Sequence, residues 1–104
     1  MIPRGMPWPR ERIEEFCRKW KVLRLELFGS ALRDDFRPDS DVDLLVTFEP
    51  DADWGVFDDL AMEEELEAVL GREVDLIRRE AIEESPNRFR RKAILESAEV
   101  VYEP

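Results

Sequence analysis

The 104-residue chain contains no histidine. That absence removes the usual general base beside a nucleophilic serine or cysteine, and it removes imidazole from any metal site. Cysteine occurs once, at Cys17, so no internal disulfide can form, which fits a reducing compartment. With nothing to activate it, Cys17 reads as a small half-buried helix residue rather than a nucleophile. No apolar run is long enough to span a bilayer, and the opening Met1-Ile2-Pro3-Arg4-Gly5 lacks the apolar stretch of a secretory signal. A cytoplasmic protein without membrane association is the expectation. Positive charge is scarce in the middle of the chain. Residues 34–75 hold two basic and sixteen acidic residues, against eight and four in 1–33 and six of each in 76–104, for a formal net charge of −10. Such a surface repels a nucleic-acid backbone, so free nucleic acid is not an expected partner; a metal-bound nucleotide or a basic protein surface remains compatible.

What is present describes one domain with a modest core, 43% of its residues being hydrophobic. Residues 1–9, with three prolines and no periodicity, read as an extended arm, and 10–104 as a single domain. Ile13, Phe16 and Cys17 recur at helical spacing between Arg10 and Lys19. Val22 to Phe28 reads as a strand with Leu23, Leu25 and Leu27 on one face and Arg24 and Glu26 on the other. Ala31-Leu32-Arg33 can begin a short helix capped by Ser30, before a loop at Phe36-Arg37-Pro38-Asp39-Ser40. Val42 to Phe48 is apolar at nearly every position, as in a central strand covered on both faces. A helix is expected from about Phe57 to Leu70, burying Leu60, Met62, Leu66, Val69 and Leu70, with Gly71 as its stop. Glu73 to Ile77 is a third strand, Pro86 opens a last helix to about Ser97, and Val100-Val101-Tyr102 is an edge strand or a packed tail. The alternation implies an α/β fold with one sheet.

Chemistry concentrates in one stretch. On a strand, residues i and i+2 share a side, so Asp41 and Asp43 stand together at the mouth of an apolar segment. Adjacent carboxylates repel and are costly to desolvate unless a cation shares the site, and a divalent metal is the simplest cation. Asp75, inside the apolar third strand, reaches the same cleft if that strand lies beside Val42–Phe48. Three carboxylates can hold one or two magnesium ions through oxygen. Alternatively, Asp75 merely begins its strand or pairs with an arginine. Gly29 permits close approach of a phosphate, and Ser30 offers a hydroxyl and an amide at a helix start. Arg33 is placed to reach triphosphate oxygens, and Ser40 either bonds a phosphate or caps its turn. Trp8, Trp20 and Trp54 stand near element ends, at the core edge or at an interface, so a homo-oligomer is compatible with the sequence. The arginine-rich last helix is a solvated face or a contact for phosphate or an acidic partner.

These residues resemble a known family. Leu27-Phe28-Gly29-Ser30, Ser40-Asp41-Val42-Asp43-Leu44-Leu45-Val46, Gly71-Arg72-Glu73-Val74-Asp75-Leu76 and the closing Val100-Val101-Tyr102-Glu103 are similar to the minimal nucleotidyltransferases of the DNA polymerase β superfamily, over nearly the whole chain. The resemblance implies a small mixed sheet with helices packed mainly on one face. It implies that Asp41 and Asp43 bind two catalytic magnesium ions, that Asp75 completes the triad and activates the acceptor hydroxyl, and that Gly29 and Ser30 hold ATP. It further implies an antitoxin that transfers AMP to a tyrosine hydroxyl of a HEPN-family RNase toxin. The chain has Ala31 and Asp34 where many members have arginine and glycine, which makes the phosphate side less basic. A second reading is therefore a binding antitoxin that occludes its partner without catalysis. A third is an orphan transferase for a small acceptor.

Overall fold

The computed structural model describes residues 8–29 and 41–104. The chain runs α1 (Arg10–Lys19), β1 (Val22–Phe28), β2 (Val42–Phe48), α2 (Val56–Leu70), β3 (Val74–Arg78), α3 (Arg79–Glu83), α4 (Arg88–Ser97) and β4 (Glu99–Tyr102). The four strands form one sheet in the order β3-β2-β1-β4. The β2–β3 pair is parallel, and β1 is antiparallel to both β2 and β4. This is the small mixed α/β sheet expected, and of the two readings of the closing segment, edge strand or packed tail, the edge strand holds. The expected short helix at Ala31-Leu32-Arg33 lies outside the described residues.

The main core fills one face. Ile13, Phe16 and Cys17 of α1 and Met62, Leu66 and Leu70 of α2 pack there against Leu25, Leu27, Val42, Leu44 and Val46. A smaller cluster on the reverse face joins Phe28 and Leu45 to Ile82 of α3 and to Ile94 and Leu95 of α4. β2 is thus covered on both sides, which explains its unbroken apolar sequence.

Two sequence expectations fail in detail. A bulge between Val22 and Arg24 shifts the register at the start of β1, so Val22 turns inward and Leu23 is exposed. In α2, Leu60 faces solvent although Met62, Leu66 and Leu70 are buried. Helix α3 had no sequence signature; five residues with one buried side chain, Ile82, are too short to show a period.

The expected stop at Gly71 holds: it adopts φ +72° and its N–H caps Glu67 C=O. The outer edge of β3 is blunted by α2, where Glu67 accepts from Val74 N–H (3.1 Å) and Glu63 from Leu76 N–H (2.9 Å). Two of the tryptophans close the margin of the main core. Trp54 Nε1 donates to Trp20 C=O, Trp20 Nε1 donates to Glu65, and the two rings meet edge-on at 5.1 Å. Among the described residues, no helix is long and apolar enough to cross a membrane.

Candidate functional site

The site is made by strand pairing. In the β2–β3 ladder Asp43 stands opposite Asp75, and in the β1–β2 ladder Asp43 stands opposite Phe28. Register partners share a face of the sheet, so both carboxylates project to the side of Phe28 and Leu45. Asp41 lies one residue before β2, two positions ahead of Asp43. Asp43 and Asp75 therefore stand side by side where β1 ends and β2 and β3 begin, with Asp41 just ahead of β2. Asp43 is half-buried, whereas Asp41 and Asp75 are exposed.

Gly29 follows Phe28 at this end, in the left-handed region at φ +69°. A Cβ built on it would lie 2.5 Å from Asp43 Oδ2 and 3.4 Å from Asp43 Cγ. Glycine here makes room for a carboxylate as well as for any phosphate that approaches the turn. The sequence pointed to the residue for only the second reason. Ser30, Arg33 and Ser40, with Ala31 and Asp34, lie outside the described residues, so their place in the site is a matter of sequence.

The donor set suits a hard divalent cation: carboxylate oxygens alone, on strands whose register fixes their order. It is open rather than closed. Among the described residues, no three acidic or cysteine side chains are already gathered as metal ligands. Arg78 and Arg79, at the far end of β3, are engaged by other partners. Arg78 donates to Trp54 C=O and pairs with Asp59 at 2.9 Å. Arg79 Nη1 donates to both oxygens of Glu26, at 2.7 and 2.6 Å, and its Nε pairs with Glu83.

That Glu26–Arg79 pair escaped the sequence reading. By strand alternation Glu26 belongs to a polar face, yet it is 4% exposed and sits opposite Leu45, one step behind the Phe28–Asp43 row. It fastens the start of α3 to the sheet, at the other end of β3 from Asp75. No local signal marks it, since the partners are 53 residues apart in sequence. Two surface grooves lie elsewhere, one between α1 and β4 and one around Arg24, Thr47 and Arg79.

Several known proteins are similar to this chain. Residues 10–101 match the nucleotidyltransferase domain family. Over 69 residues the chain is 39% identical to the protein adenylyltransferase MntA of Thermococcus cleftensis, covering 66% of this chain and 68% of that protein. A solved structure assigned to the minimal nucleotidyltransferases matches with a TM-score of 0.63 at 32% identity, over 86% of this chain and 85% of that one. A chain of a toxin–antitoxin assembly solved with AMP-PNP matches with a TM-score of 0.64 at 17% identity, over 93% of this chain and 75% of that one, a likeness of fold alone. By sequence and by fold, this chain belongs to the nucleotidyltransferase domain family and is a nucleotidyltransferase.

Proposed function

We propose that the protein is a cytoplasmic antitoxin that transfers AMP from ATP to a tyrosine hydroxyl of a HEPN-family toxin. The observation that carries the reading is the register that sets Asp43 beside Asp75 with Asp41 two residues ahead. The name of the Thermococcus relative and the resemblance of the motifs support the choice of nucleotide and acceptor.

In this reading Asp41, Asp43 and Asp75 hold magnesium, which, when bound, neutralises phosphate charge and orients the α-phosphate. Gly29, Ser30, Arg33 and Ser40 hold the triphosphate at the turn. The acceptor oxygen attacks the α-phosphorus in line, an O–P bond forms, and the bond to the bridging oxygen breaks as pyrophosphate leaves with the electron pair. Asp75 accepts the hydroxyl proton. Its exposure suits an acceptor presented by another macromolecule, since a tyrosine on a protein surface can reach it without a channel. The residues supply position and charge rather than covalent chemistry, as phosphoryl transfer requires.

The test is incubation with α-labelled ATP, magnesium and purified HEPN-family toxins. Label is expected on a toxin tyrosine, and it disappears with Asp41→Asn/Asp43→Asn and with Asp75→Asn. Neutralisation that persists without label assigns the protein to the occlusion class. Absence of label with every candidate toxin, with no neutralisation, sinks both readings.

A further inference from the structure

Helix α2 is apolar on two sides. Met62, Leu66 and Leu70 fill the core, yet Val56, Phe57 and Leu60 face outward at 72%, 87% and 51% exposure. Ala61, Glu64 and Ala68 continue that exposed side at helical spacing. Most of the helix's acidic residues are drawn to its flanks. Asp58 accepts from Gly55 N–H, Asp59 pairs with Arg78, Glu63 and Glu67 cap β3, and Glu65 holds Trp20 and Lys19. What remains outward is a ridge of three large apolar side chains bordered by exposed Asp53 and Glu64. Contiguous exposed apolar surface of this kind marks an interaction site.

Helix α4 carries the complementary surface. Phe89 is 81% exposed, the Arg88 guanidinium lies 6.0 Å from its ring centre, and Arg90 and Lys92 are exposed beside it. Among the described residues, ion pairs engage Arg10, Lys19, Lys21, Arg24, Arg78 and Arg79 but not Arg88, Arg90 or Lys92. An aromatic side chain ringed by uncompensated positive charge is unusual in a chain of net charge −10. The two patches lie on opposite faces of the sheet, α2 over the main core and α4 over the smaller cluster. A molecule therefore cannot cover its own ridge.

We propose that the α2 ridge of one molecule receives Phe89 and the basic rim of α4 from a second copy of this chain. The contact is head-to-tail, so it closes into a ring or extends as an open array. Pairing two α2 ridges would set Asp53 and Glu64 against their own kind, whereas α4 brings opposite charge around an apolar centre. Nothing in this contact depends on nucleotidyl transfer, and its failure leaves that reading untouched.

Sedimentation velocity over a concentration series tests it, using Phe57→Gln and Phe89→Gln with circular dichroism to confirm the fold. The wild type should associate with rising concentration, and each variant alone should bind at least about tenfold more weakly, as loss of a central aromatic anchor does. An equimolar mixture should form a dimer that does not grow. In it the Phe89→Gln chain lends its intact α2 and the Phe57→Gln chain its intact α4. A wild type that stays monomeric to about 0.3 mM overturns the proposal and leaves the ridge to a partner protein. Association that survives in Phe89→Gln, or a mixture that stays monomeric, overturns it as well.

Discussion

Replacing Gly29 by alanine separates the chemistry of the site from the stability of the fold. Gly29 has φ +69°, where an L-residue costs about 1–2 kcal/mol. For a domain of this size that lowers the melting temperature by roughly 5–15 °C. The added methyl does something further. Its carbon would fall 2.5 Å from Asp43 Oδ2, so turn or carboxylate must give by about 0.9 Å to restore ordinary contact. A displacement near 1 Å at a reacting centre costs on the order of a hundredfold in rate. Gly71 provides the control. It has φ +72°, and a Cβ there meets nothing within 4 Å. Gly71→Ala should therefore lose a similar amount of stability and keep its activity. The assay is initial-rate transfer of label from ATP to the toxin, run well below both melting temperatures. A Gly29→Ala variant within about threefold of wild type would refute the claim that this glycine spaces Asp43. Equal losses in the two variants would refute it too, since strain alone would then explain the effect.

Two further outcomes follow from buried groups. Glu26→Gln removes the charge that Arg79 faces inside the sheet, where Glu26 is 4% exposed, and should cost about 2–3 kcal/mol in urea unfolding, less than for a fully buried pair because Arg79 is partly solvated. A loss below about 0.5 kcal/mol would show that the pair behaves as an exposed one. Burial pushes the Cys17 thiol from its ordinary 9.0 up to about 12. The native state thus keeps a proton that the unfolded chain releases, so this contribution to stability is intact below pH 9 and fades as pH rises toward 12. At pH 8 iodoacetamide should label native Cys17 at least about a hundredfold more slowly than the urea-unfolded chain. Comparable rates would place the thiol at the surface.

The elements that sequence reading located well are those with a strong local pattern. α1 shows its helical period in Ile13, Phe16 and Cys17, and β2 shows a buried central strand in its continuous apolar run. Errors fall where local pattern and tertiary setting part. Leu23 belongs to an alternation that a bulge interrupts, and Leu60 belongs to a helical stripe wider than the core it meets. Glu26 looked like a solvent-facing strand residue because its burial depends on an arginine supplied by another element.

For the candidate site, the sequence by itself named the residues: a carboxylate pair at the start of one apolar strand, a third within another, and a glycine ahead of them. Those are short-range facts, carried by the two-residue repeat of a strand and by residue type. Only the tertiary structure decided that Asp43 and Asp75 are neighbours, because the parallel pairing of β2 with β3 is set by how α2 packs between them in sequence and over them in space. It also decided why Gly29 is glycine, since the crowding comes from a side chain on the adjacent strand. The ridge on α2 and the basic patch on α4 became distinct surfaces for the same reason. A helical sequence states which residues share a side, but the sheet beneath it decides which side is left outside.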